Sequence, residues 1–386
     1  MLLLKYKQIL YKFMKVLFIT KNYPPLIDGV GEYTYNLAHT FVKHNHKVII
    51  VCTNHSEINT ITGKITVLPI INQWNGKAGT KIAKIIRDHA VDFVSLQYVP
   101  HGFHPKGLPF GLIALVHEIK KTNVKTMTFF HEVCIDYIGW NIKRTLFSYG
   151  IKYIAKKIIE KSDYVATSIE HYTKRIQKFK KEINISTIHI ASNIPKHSYT
   201  KEYLEQLKKT VAPQGEFIIV FFGKRDINNQ VKAIKELINE GYKIIALSLG
   251  NTYFLQQDYK IPTYKTGLLD IKDISQYFQI ADCFCLPENE KSGCSFKSGS
   301  LAAGLQHALP ILTNKGYMTE STLVNHYNII FTNNQNINDI KTSIKQLIQN
   351  KDFRLSISKQ AALLGETLTW EKTYTDYMNM LKHDVL

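Results

Sequence analysis

A run from Ser292 to Asn314 (SGCSFKSGSLAAGLQHALPILTN) places Gly293, Ser295, Lys297, Gly299 and Ser300 just ahead of an apolar helix. A helix start leaves N–H groups unpaired and carries a partial positive charge. Small residues and a lysine at that point can therefore cradle a phosphate or another anion. The same pattern also serves as an ordinary loop between a turn, a helix and a strand. Lys224 and Arg225 directly follow the apolar run FIIVFFG, so a strand there would end in two cations. His131 and Glu132 follow TMTFF in the same way. Gly29 and Gly31, in DGVGE, would let backbone approach a ligand closely, or simply form a turn. His101 and His104, in QYVPHGFHPKG, form a further polar loop, with no carboxylate cluster beside them to complete a metal site.

Each of these groups must be delivered by a regular element. Val16 to Thr20 is a buried strand, and Tyr33, Leu37 and Phe41 recur at helical spacing after the glycines. Val48 to Val51 is the next strand, which makes a strand–loop–helix–strand unit of a parallel sheet. Further apolar runs at Phe93–Leu96, Thr126–Phe130 and Tyr164–Thr167 are spaced by helical segments, and Thr187–Ile190 closes this half. A polar, proline-bearing stretch over residues 192–215 reads as a linker with one short helix. The pattern then restarts with a strand over Phe217–Phe222, a helix over Val231–Asn239, a strand over Ile244–Leu249, a helix over Ile274–Ile280 and a strand over Cys283–Leu286. Two successive α/β halves imply two doubly wound domains, whose ligands bind beyond the carboxyl ends of the strands.

Composition narrows the function classes. The chain has 386 residues and a formal net charge of +18, which points to anionic partners. It carries no RNP motif, zinc finger or helix-turn-helix signature, which argues against nucleic acid. The five cysteines show no ligand spacing, and Cys283 and Cys285 read as buried strand thiols. That usage suits a reducing, cytoplasmic setting. No apolar run reaches membrane-spanning length. Lys and Arg interleave with Ile, Phe, Tyr and Leu over residues 142–182, as on a helix that touches an anionic membrane surface or one that simply snorkels its lysines. For the first thirteen residues, either Met14 is the true start or the segment is a basic amphipathic anchor.

Several stretches together resemble glycosyltransferase family 4. They are VLFITKNYPPLIDGVGEYTYNLAHTFVKHNHKVIIVCT, TGLLDIKDISQYFQIADCFCLP, ALPILT and Trp370-Glu371-Lys372. The resemblance implies the GT-B fold: two Rossmann-like doubly wound domains facing across a cleft. It implies an acceptor-side domain over residues 14–195, a nucleotide-sugar domain over 196–365, and a terminal helix over 366–386 that returns to the first. The family commonly carries Glu-x7-Glu; those positions here are Ser295 and Ala303. The segment is more similar to a subset without the glutamates, and Glu288 or Glu290 could supply a carboxylate from elsewhere.

The resemblance further implies a retaining, metal-independent hexosyltransferase that uses a nucleotide diphosphate sugar and no cofactor. Its acceptor would be a glycan or lipid-linked acceptor at the inner membrane face, in the synthesis of cell-surface polysaccharide or glycoconjugate. Lys224 and Lys297, with His131, would be the catalytic groups. Arg225, Gly29, Gly31, Gly293, Ser295, Gly299 and Ser300 would hold the donor. Which of Lys224, Arg225 or Lys232 points inward stays open. His101, His104 and Glu132 would line the acceptor side. The absent glutamates keep a second reading alive, a non-catalytic subunit that binds a nucleotide sugar or a partner. An epimerase would need carboxylates that the chain supplies poorly, and no G-x-G-x-x-G follows a strand to favour a dehydrogenase.

Overall fold

The computed structural model describes residues 13–26, 28–58, 61–133, 142–180, 183, 185–250 and 260–382. Residues 1–12, Cys134 and residues 181–182 of the basic stretch lie outside the described residues, so neither view of the chain's start is addressed. The chain divides into two compact units. Unit 1 is Met1–Ser168, Tyr172–Ile188 and Trp370–Leu386; unit 2 is Ile169–His171 and His189–Thr369.

The strands of unit 1 are β1 (Lys15–Ile19), β2 (Lys47–Thr53), β3 (Ile61–Thr62), β4 (Ile65–Ile71), β5 (Phe93–Tyr98), β6 (Lys125–Phe130), β7 (Tyr164–Thr167) and β8 (Ile185–Thr187). Its helices are α1 (Gly29–Lys43), α2 (Gly76–Asp88), α3 (Pro100–Phe103), α4 (Gly111–Lys120), α5 (Ile142–Lys161) and α6 (Glu170–Gln177), whose first two residues fall in unit 2. The sheet order is β3-β4-β2-β1-β5-β6-β7-β8, parallel except for the β3–β4 pair. The central strands are apolar on both faces because helices cover both. Val16, Leu17, Phe18 and Ile19 are all fully buried. β4 (ITVLPII) is harder to read from apolar runs because Pro69 interrupts it. The register with β2 shifts beside that proline, between Cys52 and Thr53.

Unit 2 repeats the plan with β9 (Phe217–Phe222), β10 (Ile244–Leu249), β11 (Thr263–Lys265), β12 (Cys283–Cys285), β13 (Ile311–Thr313) and β14 (Ile330–Phe331). Its helices are α7 (Lys201–Val211), α8 (Asn228–Asn239), α9 (Ile271–Ile280), α10 (Gly299–Gln306), α11 (Ile337–Gln349) and α12 (Lys351–Gly365). The order β11-β10-β9-β12-β13-β14 is wholly parallel. It reads outward from a switch point between β9 and β12, just as unit 1 does between β1 and β5. Cys283 and Cys285 are buried strand thiols, as expected, and both belong to the core under β9. Burial pushes the Cys285 thiol up to about 12.

A last helix, α13 (Trp370–Leu381), belongs to unit 1. Tyr374 packs edge-on against Phe41 at 5.0 Å, and Tyr377 stacks on Phe129 at 6.0 Å. Glu371 receives Lys43 Nζ at 2.5 Å and meets His44 Nε2 at 2.6 Å at the end of α1. His46 ties the same region to the start of the chain's first strand. Its Nδ1 accepts from the Met14 N–H at 3.1 Å, and its Nε2 faces the Tyr374 hydroxyl at 2.9 Å.

Helix α2 lies against α4 so closely that a side chain on Gly79 would meet the Leu115 carbonyl oxygen at 2.7 Å and the Leu115 Cα at 2.8 Å. Those are backbone atoms that cannot swing aside. Gly79→Ala is therefore expected to destabilise unit 1 by ~1–3 kcal/mol, the usual cost of overpacking a tight contact. Urea unfolding of the variant checks this; a neutral or stabilising change would mean that the helices separate without cost.

Candidate functional site

The carboxyl edge of the unit 2 sheet gathers polar side chains at its switch point. Lys224 and Arg225 follow β9, Glu288 follows β12, Asn314 follows β13, and Asn334 follows β14. Lys224, Arg225, Glu288 and Asn334, together with Lys232, Asn228 and Glu290, line a cleft of about 670 Å³. Arg225 is held in place. Its Nη1 donates to the Phe222 carbonyl at 2.9 Å, and its Nη2 donates to Glu288 Oε1 at 3.0 Å. Gly223 has φ +81 and lies under this guanidinium, and a Cβ there would meet Nη1 at 2.5 Å. Lys224 is exposed and has no ion pair among the described residues. The two cations thus differ: Arg225 is fixed and partly neutralised, whereas Lys224 reaches into solvent.

A ladder of amides supports this edge. Asn314 Oδ1 accepts from the Glu288 N–H at 2.8 Å and from Asn334 Nδ2 at 2.6 Å. Gln230 Nε2 donates to Asn334 Oδ1 at 3.2 Å. None of these amides stands out in sequence, because each is one asparagine or glutamine beside a turn.

The loop before α10 divides in two. Ser298 is the N-cap: its Oγ accepts from the Leu301 N–H at 3.3 Å and donates to Glu288 Oε1 at 3.3 Å. Gly299 and Ser300 are the first two helical residues, and open space surrounds the missing Cβ of Gly299. Lys297 is exposed just before them. Gly293 and Ser295 face inward instead. Gly293 has φ +68, and the space its side chain would take is filled by the Gly316 backbone, with the nitrogen at 2.1 Å. Ser295 is 2% exposed, and its Oγ finds no partner among the described residues. Ala303, the other position where the commoner pattern has an acid, is buried as well. Nearby, Glu320 is buried and accepts from the Phe296 N–H at 3.2 Å; burial raises its carboxyl to about 7.

The carboxyl edge of unit 1 holds Asp28, Gln97 and His131. Asp28 caps α1, accepting from the Val30 and Gly31 N–H groups at 2.8 and 2.9 Å, while Asn22 donates to its other oxygen at 2.9 Å. Gly29 has open space at its Cβ position. Gly31 is a glycine for packing reasons: a Cβ would meet the Asn22 carbonyl oxygen at 2.9 Å. His131 follows β6 and packs edge-on to Tyr33 at 4.8 Å and against Phe129 at 4.6 Å. Its Nε2 meets Gln97 Oε1 at 3.0 Å. Burial drives its pKa down to about 3 against a smaller raising effect from Asp28, so the ring is neutral at physiological pH. Glu132 is half-buried beside it.

The two remaining histidines sit on the loop after β5. His104 organises that loop: its Nδ1 accepts from the Lys106 and Leu108 N–H groups at 3.2 and 3.3 Å. His101 is exposed on α3, with its ring against Gly107. Among the described residues, no group of three or more His, Cys, Asp or Glu could hold a metal ion.

Residues 27–193 match the family Glycosyltransferase Family 4. Among solved structures, a glycosyltransferase from Rickettsia africae superposes with a TM-score of 0.72 at 16% identity, over 97% of this chain and 99% of that one. Sucrose-phosphate synthase from Thermosynechococcus elongatus gives 0.70 at 11% identity, over 96% and 98%. Anabaena HepE, in complex with UDP and glucose, gives 0.68 at 12%, over 96% and 100%. At these identities the likeness speaks for the fold, which is GT-B with two Rossmann-like domains, as the resemblance implied. No curated protein matches the sequence.

The buried titratable groups of this GT-B chain set its acid stability. Burial lowers His46 and His307 to about 4, as it lowers His131 to about 3. His307 Nδ1 bonds the Ala303 carbonyl at 2.7 Å, and its Nε2 faces Ser275 Oγ at 2.9 Å. Below pH 6.5 the unfolded chain protonates these three histidines while the folded chain does not, so folding loses stability as pH falls. Glu320 acts oppositely between 4.5 and about 7, because the folded state holds that proton. The net is about two protons, or roughly 2–3 kcal/mol per pH unit near pH 5.5. Urea midpoints are expected to fall from pH 6.5 to 4.5; a flat profile would show that these histidines are solvated.

Proposed function

We propose that the chain is a retaining glycosyltransferase that moves a hexose-type sugar from a nucleotide diphosphate sugar to a glycan or lipid-linked acceptor. The observation that carries this reading is the family match over residues 27–193, joined to a GT-B fold. The cleft at the switch point of unit 2 supports it, because ligands of doubly wound sheets bind at that edge and Lys224, Arg225 and Lys232 line it. In this reading the diphosphate lies against Lys224, Lys297 and the N–H groups of Gly299 and Ser300. As the glycosidic bond to the leaving phosphate breaks, charge grows on the phosphate oxygen, and fixed cations and N–H dipoles lower that barrier. No metal or cofactor is invoked in this reading. His131, neutral and rigidly packed, would hydrogen-bond the sugar or the acceptor hydroxyl. HepE was crystallised with UDP and glucose, which makes a uridine nucleotide the first donor to try.

One observation keeps the binding-subunit reading in play. Among the described residues the carboxylate paired with Arg225 is Glu288, and its Oε1 is already engaged by Arg225 and Ser298. Release of nucleoside diphosphate from UDP-, GDP- and other nucleotide sugars, with membrane lipid extract as acceptor, separates the two. Turnover of one donor, reduced on the order of 10²–10³-fold by Lys224→Ala or Lys297→Ala, supports the transferase. Tight donor binding without release, across a broad acceptor panel, supports the subunit.

The proposal extends to a peripheral site at the inner membrane face. Among the described residues no helix is long and apolar enough to cross a membrane. Helix α5 buries Ile151, Ile154, Ile158 and Ile159 but turns Leu146 and Tyr149 out, 66% and 67% exposed, with Tyr153 and Phe110 beside them. Lys156 is exposed on the same helix. An apolar and basic stripe of this kind supports docking to anionic lipid. Changing Leu146, Tyr149 and Tyr153 together to serine is expected to abolish co-sedimentation with phosphatidylglycerol vesicles. Unaltered co-sedimentation would remove α5 from the interface.

A further inference from the structure

Gln97 is fully buried at the carboxyl end of β5, and its amide reaches three polar atoms. Nε2 lies 2.8 Å from Ser95 Oγ and 3.4 Å from the Tyr377 hydroxyl, and Oε1 lies 3.0 Å from His131 Nε2. Ser95 and Tyr377 are likewise fully buried. We infer that Gln97 is a positioning residue that holds the His131 imidazole as its Nε2–H tautomer and leaves Nδ1 as the acceptor. This rests on the reading of His131 as a site residue.

A primary amide has two N–H groups and one oxygen to satisfy, and buried groups left unpaired cost about 1–3 kcal/mol each. With Nε2 toward the two hydroxyls, both amide hydrogens find oxygens. Oε1 then has to receive a hydrogen, and His131 Nε2 must carry it. Turning the amide over gives Oε1 two hydroxyl hydrogens and aims one N–H at His131. The second N–H is then buried with no acceptor among the described residues. The first arrangement satisfies both amide hydrogens and the amide oxygen, so it is favoured, and it determines which ring nitrogen bears the proton. Hydroxyls cannot impose this choice, because each can donate or accept. The imidazole has little freedom to turn, since Tyr33 meets it edge-on and Phe129 packs against it as well. Tyr377 sits on α13, so the terminal helix buttresses the amide from a position 280 residues away along the chain.

For the reaction proposed above, the consequence is a lone pair at a known atom. His131 Nδ1 would accept a hydrogen bond from a sugar or acceptor hydroxyl, and it would not donate one. No donor lies in range of Nδ1 among the described residues.

Side-chain ¹⁵N spectra of the full chain, with the His131 signals assigned by their loss in His131→Gln, test this directly. A pyrrole-type Nε2 and a pyridine-type Nδ1 are expected in the wild type. Gln97→Glu should keep that pattern, because a carboxylate still accepts from Nε2–H while Ser95 and Tyr377 turn to donate. Gln97→Met should lose it. A pyridine-type Nε2 in the wild type overturns the inference, and so does an unchanged pattern in a folded Gln97→Met. If that variant does not fold, the wild-type spectrum alone still decides. Turnover separates this from the wider reading. Gln97→Met is expected to lower kcat on the order of 10²-fold with donor KM nearly unchanged, and Gln97→Glu to recover most of it. The expected spectra with unimpaired turnover in both Gln97→Met and His131→Gln would keep the tautomer assignment and remove His131 from the site.

Discussion

Strands covered on both faces by helices leave polar side chains almost nowhere to go except the strand ends. That constraint shapes both units of this chain. Along β1 and β9 the residues are apolar almost without exception, since a lone polar group between two helical layers would lose its water and gain no partner. Beyond the last strand residue the helices no longer cover the backbone, and charged or amide groups can stand partly in water. Lys224, Arg225, Glu288 and Asn334 gather at one such edge, and Asp28 and His131 at the other. The fold does not create their chemistry, but it dictates where that chemistry can be.

Several polar groups that enter the interior come in closed sets. His46 is satisfied by the Met14 N–H and Tyr374, and His307 by Ala303 and Ser275. Each set makes the neutral imidazole the stable form. Gln97, Ser95, Tyr377 and His131 form a set of the same kind, but it ends at the sheet edge, so its last member can serve a ligand. Burial that keeps a ring neutral and a fixed partner that selects its tautomer are two parts of one effect.

The strands and most helices were legible because buried parallel strands are continuous apolar runs and the helices between them keep a 3.6-residue period. Short edge elements were not. β11 and β14 have three and two residues, and β4 contains a proline, so none leaves a strong local pattern. The site was legible only as far as single residues at strand ends. Lys224, Arg225 and His131 stand out that way, and Lys297 by its place just ahead of a helix. Gln97 does not, because in FVSLQY it is one polar residue in a strand, and its meaning comes from Ser95, His131 and Tyr377. Glycines are ambiguous for a physical reason. A glycine reports that something comes close, not what: at Gly31 it is the Asn22 backbone, and at Gly293 it is Gly316.

The charges at the unit 2 edge follow the same logic of partners. A guanidinium has five N–H donors, and Arg225 directs two of them at Phe222 and Glu288, while its buried Nε has no partner among the described residues. Its position is therefore set before any ligand arrives, and Glu288 offsets much of its charge. An anion approaching this edge would meet a geometrically fixed but electrically muted arginine, and the exposed Lys224, which has no ion pair among the described residues. Fixed orientation and net charge are thus divided between neighbouring residues, Arg225 and Lys224. Glu288 also accepts from Ser298, the N-cap of α10, so the same carboxylate ties the arginine to the helix start whose free N–H groups lie at Gly299 and Ser300. Removing that carboxylate would release the arginine charge and loosen the helix start together, so these two parts of the anion-facing edge cannot be tuned separately.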